Sequence, residues 1–253
     1  MRFDIQKADL FKRISAWLFD VIVAFILGVG IAFILSAALN YDSHVETMER
    51  VRNEIVAKYE IDPDLTFEEQ EALPEAEKQK YDAANKEYTE NPDVIQANKM
   101  MITLGILIVT ISILLSVIIV DLIVPIFLKH GRTLGKKIFG LAVIRTNGVR
   151  ISGQALFIRT LIGKYTLEIM APLYILLLSV IGMLGVMGII LDVIILVLQI
   201  FSLIRSGNRS AIHDLVSDTV VVDMASQMIF ESEEELIAYK TKLHEEEVNK
   251  QEY

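Results

Sequence analysis

Long apolar stretches alternate with polar segments along this chain. Two stretches stand alone, at residues 14–39 and 100–128, and the apolar sequence after residue 155 continues to residue 204. About twenty apolar residues in a helix span the hydrocarbon core of a bilayer, so the last stretch is too long for one helix and has room for two. Its glycines at 182 and 185 predict a tight turn between them. The pattern therefore predicts an all-α membrane protein with four transmembrane helices.

The polar segments carry patterns of their own. Residues 41–99 show apolar positions at three- and four-residue steps, which predicts a helical insertion, and Thr66 followed by Glu69 fits a capping box. The Asn147-Gly148 pair predicts a short β-hairpin, and 219–222 is a candidate third strand. The predicted segments are 1–40 (N-terminal segment and first span), 41–99 (acidic insertion), 100–128 (second span), 129–154 (basic loop and hairpin), 155–181 (third span), 186–204 (fourth span), 205–223 (closing motif) and 224–253 (acidic tail).

Charge is distributed unevenly among these segments. The 253 residues have a formal net charge of −9, but 41–99 hold 7 Lys/Arg against 16 Asp/Glu and 224–253 hold 3 against 8, so the remainder is basic. A basic membrane portion with acidic appendages argues against nucleic-acid binding. The sequence has no cysteine, which excludes disulfides and thiolate chemistry. We find no metal-ligand spacing, cofactor motif or nucleophile–base arrangement, so we expect no enzyme, no metal and no cofactor.

Lysines and arginines in the short loops set the expected orientation. Residues 1–13 hold four of them, 129–150 hold six and 205–209 hold two, whereas the turn at 182–185 holds none. Because short basic loops stay in the cytoplasm, both termini and the hairpin are expected there, and the acidic insertion is expected outside.

Three carboxylates lie within the predicted spans: Asp20, Asp121 and Asp192. At about 1.5 Å per residue, the first two lie roughly 10 Å below the cytoplasmic surface and the third roughly 18 Å. An ionisable group in hydrocarbon costs on the order of 3 kcal/mol, so each should have a partner or a function. Arg13 lies two helical turns before Asp20 on the same face, and we interpret this pair as a structural lock. Asp192 has no basic residue near it in the sequence, which favours a function.

Basic residues near the inner edge of the bilayer extend this charged cluster. Lys136 and Lys137 are expected at headgroup level, where they would attract anionic lipid, although the positive-inside rule explains them equally well. Arg159 and Lys164, early in the third span, are expected to keep their charges among the headgroups. The cluster either lines a cavity open to the cytoplasm or forms ion pairs that only lock the helices. The adjacent His213-Asp214 pair is interpreted as a turn contact rather than a catalytic dyad.

Three segments, in order along the chain, resemble a known family. The Arg13 to Asp20 spacing, residues 131–143 and residues 208–214 are similar to motifs of the RDD family of small bacterial membrane proteins. The family is named for one arginine and two aspartates, which by motif correspond here to Arg13, Asp20 and Asp214. The resemblance implies a multi-spanning helical protein of the bacterial plasma membrane, and transport of small solutes or cations has been suggested for members.

Two functions of different classes follow from these observations. The first is transport of a small solute or exchange of a cation for a proton, by an antiporter that uses Asp20, Asp121 and Asp192 with Arg13 as a tuning charge. Four spans are few for a transporter, so this function favours a homo-oligomer. The second is a membrane scaffold, whose buried charges only lock the helices and whose protein partner binds the acidic insertion or the acidic tail.

Overall fold

Four helices long and apolar enough to cross a membrane organise the computed structural model, which describes residues 5–205 and 210–251. Residues 206–209 of the predicted closing motif lie outside the described residues. The prediction of four spans is confirmed. Much of their surface is apolar and exposed, as expected of helices surrounded by lipid. In chain order the spanning helices are Leu10–Ala38, Pro92–Leu128, Gly153–Val180 and Gly185–Arg205.

The chain divides into two compact units, and both boundaries fall inside spanning helices. The smaller unit is residues 28–113, and the larger unit consists of the segments on either side of it. The charged residues that the sequence assigned to the site all belong to the larger unit.

The smaller unit contains the acidic insertion. Its helices are Asp42–Tyr59, Phe67–Glu71 and Glu75–Glu90. The predicted capping box is confirmed: the Thr66 hydroxyl accepts from the Glu69 backbone N–H at 3.3 Å, and the Glu69 carboxylate accepts from the Thr66 N–H at 2.8 Å. The second spanning helix begins at Pro92, before the predicted Met100, so the end of the predicted insertion belongs to that helix. The buried apolar core of the insertion is formed by Val51, Ile55, Ala84 and Val94.

A two-stranded antiparallel sheet lies in the larger unit. Strand β1 (Leu141–Arg145) pairs with β2 (Thr219–Asp223), with Val143 opposite Val221. The predicted turn forms at Asn147-Gly148, where the Gly148 N–H donates to the Arg145 carbonyl at 2.9 Å. Among the described residues, the returning segment forms only isolated bridges, Arg150 with Ile144 and Val149 with Phe230. The partner of β1 is therefore the segment predicted as a third strand, because its run of valines can be buried on both faces.

Both faces of this small sheet are covered. Leu141 and Val143 pack on one face with Ala8 and Ala16 of the N-terminal region, whereas the alternate residues pack on the other face. The C-terminal helix Glu233–Gln251 is attached through Leu236 and Tyr239, which pack against Phe230 and Val149. The sheet therefore holds the loop after the second span close to the start of the first span.

Candidate functional site

A cavity of about 450 Å³ lies in the larger unit, with residues from all four spanning helices and from the segments around the sheet in its lining. Its walls combine apolar side chains with many ionisable ones. The ionisable residues that line it are Arg13, Asp20, Asp121, Lys136, Arg159, Lys164, Glu168 and His213.

Asp20 is held by the loop that follows the second spanning helix. The Thr133 hydroxyl donates to Asp20 Oδ2, and the Gly135 backbone N–H donates to Oδ1 at 2.8 Å. Position 135 requires glycine because a Cβ there would overlap the Ala16 carbonyl oxygen of the first helix. The Lys136 ammonium lies 4.0 Å from Asp20 Oδ2 and also donates to the Thr133 hydroxyl at 3.3 Å. Asp20 is thus bound by two uncharged donors and is faced by a more distant cation.

Asp121 lies where the second spanning helix widens into a π-helical turn, Ile118–Ile123. Pro125 has no N–H to donate to the carbonyl four residues earlier, which is that of Asp121. The Thr160 hydroxyl of the third helix donates to this freed carbonyl at 2.9 Å. Both Asp121 carboxylate oxygens accept from the Lys164 ammonium at 2.7 Å. The local distortion and the ion pair therefore join the second helix to the third, at a kind of widening that is frequent at functional sites.

Asp214 forms the most completely satisfied pair. It is fully buried, and Arg159 donates to its Oδ1 from Nε at 3.1 Å and from Nη2 at 2.7 Å. Arg13 donates to Oδ2 at 3.2 Å, as does the Ala211 backbone N–H. Burial alone would raise the pKa of this carboxyl, but the attraction of the neighbouring cations, Arg159 above all, holds its pKa well below the ordinary value. Asp214 thus stays ionised and connects the first helix, the third helix and the closing segment.

The interpretation of Arg13 and Asp20 as an ion pair is corrected by this geometry. Among the residues that the structure describes, the carboxylate that Arg13 contacts is that of Asp214, and the cation nearest Asp20 is Lys136. Helical spacing placed the first two on one face, but it carries no information about residues that fold back from the far end of the chain.

His213 anchors the closing segment on the third helix. Its backbone N–H donates to Glu168 at 2.9 Å, and its Nδ1 lies 2.8 Å from both carboxylate oxygens. Gly163 allows this approach, since a Cβ there would lie 2.6 Å from His213 Cα. These are the contacts of an anchored turn. Within residues 5–205 and 210–251, no three histidine or carboxylate side chains are arranged to hold a metal ion.

The formal charges around the cavity sum to zero when His213 is counted as neutral. Four cations then stand against four carboxylates while every lysine holds its proton. Lys136 differs from the other cations because burial, and next the nearby positive charge of Arg159, lower its pKa from 10.5 to about 8. The cations are Arg13, Lys136, Arg159 and Lys164, and the carboxylates are Asp20, Asp121, Glu168 and Asp214.

Lys136 and Lys137, which were both predicted at headgroup level, have different surroundings. The side chain of Lys136 is 13% exposed and faces the cavity, whereas Lys137 is exposed, so the headgroup prediction now concerns Lys137 alone.

Asp192 is partly buried, and among the described residues its Oδ1 has no hydrogen-bond partner. It shares a helix face with Leu196 and Gln199, four and seven residues on, which both line the cavity.

Sequence reasoning missed the inward direction of the charges on the third helix. Arg159 and Lys164 were expected among the headgroups, but they line the cavity, as does Glu168. Their steps of five and four residues fit one face of a π-helix, and the helix is π-helical from Ile158 to Met170. This spacing is the feature of the sequence from which the inward direction of the three side chains could have been predicted.

The sequence model of the RDD family matches residues 7–218. This range includes the arginine and the two aspartates that the resemblance assigned, and it ends before the C-terminal helix. No curated protein and no solved structure matches the chain.

Proposed function

We propose that this chain, which belongs to the RDD family of membrane proteins, exchanges a monovalent cation for a proton at the pair formed by Asp20 and Lys136. One observation carries the proposal: in a charge-balanced cavity inside an apolar helix bundle, this pair is the loosely held one, with its ammonium 4.0 Å from the carboxylate. The pKa of Lys136, lowered by burial to about 8, makes loss of its proton accessible near physiological pH.

Charge balance couples the two ions. An unpaired charge in a low-dielectric interior is costly, so the cavity favours occupancy states that keep its sum at zero. When Lys136 loses its proton, the Asp20 carboxylate keeps only the uncharged donors of Thr133 and Gly135. A monovalent cation then restores the balance, and reprotonation of Lys136 expels it. The predicted exchange is electroneutral, with one proton for each cation.

The other acidic residues have different roles in this proposal. Asp214 is saturated by Arg159 and Arg13, and it acts as the lock that holds the bundle together. Asp121 is neutralised by a tight contact with Lys164 and supports the site. Asp192 has an unpartnered oxygen among the described residues and lies on the helix face that lines the cavity, so it provides the next cation-binding position along the permeation route.

Location and assembly belong to the same proposal. The basic loops favour a bacterial plasma membrane topology with both termini, the sheet and the Lys136 loop in the cytoplasm. Four spans provide a narrow bundle, so the working form is proposed to be a homo-oligomer.

The test is proton flux in proteoliposomes that contain the purified full-length chain and an internal pH dye. An outward sodium, potassium or lithium gradient should drive proton entry with wild type. The flux should be lost in Asp20→Asn and reduced in Asp192→Asn, and Asp223→Asn is the matched control because it removes the carboxylate of an exposed pair with Lys12. Absence of flux for all three ions, or full flux in Asp20→Asn, would overturn the proposal.

A scaffold role is the second candidate, supported by the saturated Asp214 network and by the separate core of the acidic insertion. Residues 42–90 can be replaced by a short Gly/Ser linker without cutting the second spanning helix, which begins at Pro92. The scaffold role is favoured if a protein that co-purifies with wild type is lost from this variant and wild type shows no ion exchange. If the same proteins co-purify with both, the scaffold role of the insertion is excluded.

A further inference from the structure

We propose that the cavity accepts amphiphilic organic cations, which enter from the bilayer through a mouth between the first and fourth spanning helices. This inference rests on the proposed exchange at Asp20 and Lys136, and it names the class of substrate that the site takes. Its starting observation is that the same cavity has a charged wall and a half-exposed apolar rim.

The rim is formed by apolar residues that line the cavity and also reach the outer surface. Ile14 and Trp17 on the first helix are 52% and 55% exposed, and Leu196 and Ile200 on the fourth are 54% and 49% exposed. Both helices have the length and composition of membrane spans. The surroundings of this rim are therefore lipid, and the mouth is open to molecules that partition into the bilayer.

The size of the cavity also favours an organic ligand. A volume of about 450 Å³ far exceeds that of a bare monovalent ion. It falls in the range of about 300–1,000 Å³ that is typical of pockets for organic molecules, which are mostly apolar with a few placed polar groups. An amphiphile would place its apolar chain along the rim and its head near Asp20.

The sign of the ligand charge follows from the balance of the cavity. The groups that act on the Lys136 ammonium are Asp20, Asp121, Arg159 and Lys164. Together with Arg13, Glu168 and Asp214, and with His213 counted as neutral, their formal charges sum to zero while Lys136 is protonated. A monocation that replaces the Lys136 proton preserves this balance, whereas an anion would disturb it. The indole ring of Trp17 at the mouth adds attraction for an organic cation.

Trp17 makes the inference directly testable, because it is the only tryptophan in the sequence. The full-length chain in vesicles would be titrated with hexyltrimethylammonium, a permanently charged amphiphile, and Trp17 emission would be recorded at pH 6.5 and pH 8.5. Hexanol and hexanoate serve as neutral and anionic probes of the same length. Vesicles with brominated acyl chains test whether the mouth faces lipid, because bromine quenches a tryptophan that it can reach.

The expected result is a saturable change of Trp17 emission with the cation alone, at least tenfold tighter at pH 8.5 than at pH 6.5. Sodium should compete with it in wild type, which keeps the test valid if Asp20→Asn fails to fold. A folded Asp20→Asn should lose the response and Asp223→Asn should keep it. Brominated lipid should quench Trp17.

Each other outcome counts against the inference. An equal response to hexanol indicates non-specific apolar occupancy, and an equal or stronger response to hexanoate indicates an anion site. Absence of quenching by brominated lipid, together with a dimer in solution, indicates that a second copy covers the mouth. Sodium-driven proton flux without hexyltrimethylammonium binding leaves the proposed function standing and removes this inference, whereas absence of both removes both.

Discussion

Replacing Arg159 by methionine should destabilise the fold severely. Arg159 is buried and makes two of the hydrogen bonds that satisfy Asp214, at 3.1 and 2.7 Å. Its removal leaves a fully buried carboxylate whose remaining charged partner, Arg13, approaches one oxygen at 3.2 Å. Breaking a buried pair by removing one member costs about 3–5 kcal/mol, because an incompletely compensated charge stays in the interior.

Arg145→Met is the matched control for this change. The Arg145 side chain is 38% exposed and pairs with Glu233 at 3.1 Å near the surface. Exposed pairs contribute about 0–1 kcal/mol, so this variant should be close to wild type. The double variant Arg159→Met/Asp214→Asn removes both charges and should recover part of the loss, since a buried pair replaced as a unit is often nearly neutral.

The assay is reversible denaturation in mixed detergent micelles, which gives the free energy of unfolding of each variant. Because the pKa of Asp214 is lowered in the folded state, its stabilisation is complete above the unfolded-state pKa of about 3.9 and is lost as the pH falls through the folded-state pKa. The difference between wild type and Arg159→Met should therefore persist at neutral pH and shrink below about pH 4. Equal stabilities for Arg159→Met and Arg145→Met would refute this reasoning.

Three further predictions concern the loop after the second span. Burial lowers the pKa of Lys136 from 10.5 to about 8, so the unfolded chain binds more protons than the folded chain between these pH values. In the same denaturation assay, the free energy of unfolding of wild type should therefore rise by up to about 3 kcal/mol relative to that of Lys136→Met as the pH increases through this interval. Gly135→Ala should cost about 1–3 kcal/mol by overlap with Ala16, whereas Gly153→Ala, where a Cβ meets nothing within 4 Å, should be neutral or slightly stabilising. Lys137→Gln should make the association of spin-labelled anionic lipid with the protein less favourable by about 1 kcal/mol, whereas Lys136→Gln should leave it unchanged. An equal effect of the two substitutions would contradict the different exposure of the two lysines.

The sequence predicts those features that depend on neighbours along the chain. The four spans follow from the length of apolar runs, the insertion helix start from Thr66 and Glu69, and the turn from Asn147-Gly148. Each of these features depends on a few neighbouring residues or on composition alone, and the predictions of them agree with the structure for that reason.

The composition of the charged site depends on contacts between distant segments. Arg13 pairs with Asp214, about two hundred residues further along the chain, and no helical periodicity can indicate this partner. The pair of Asp121 with Lys164 depends on the helix widening near Pro125 and on the π-helical third span, which turns Lys164 inward. Periodicity calculated for an α-helix assigns such residues to the wrong face.

Proton release on cation binding is the most direct test of exchange at Asp20 and Lys136. The purified chain would be held in weakly buffered detergent near pH 7, where a Lys136 with a pKa of about 8 is still mostly protonated. Sodium chloride, or magnesium chloride at equal ionic strength as the control, is then added and the pH is recorded. Wild type should release about one proton for each sodium bound, and Lys136→Gln should bind sodium without releasing a proton. Sodium binding to wild type without proton release, or the same release from Lys136→Gln, would contradict it.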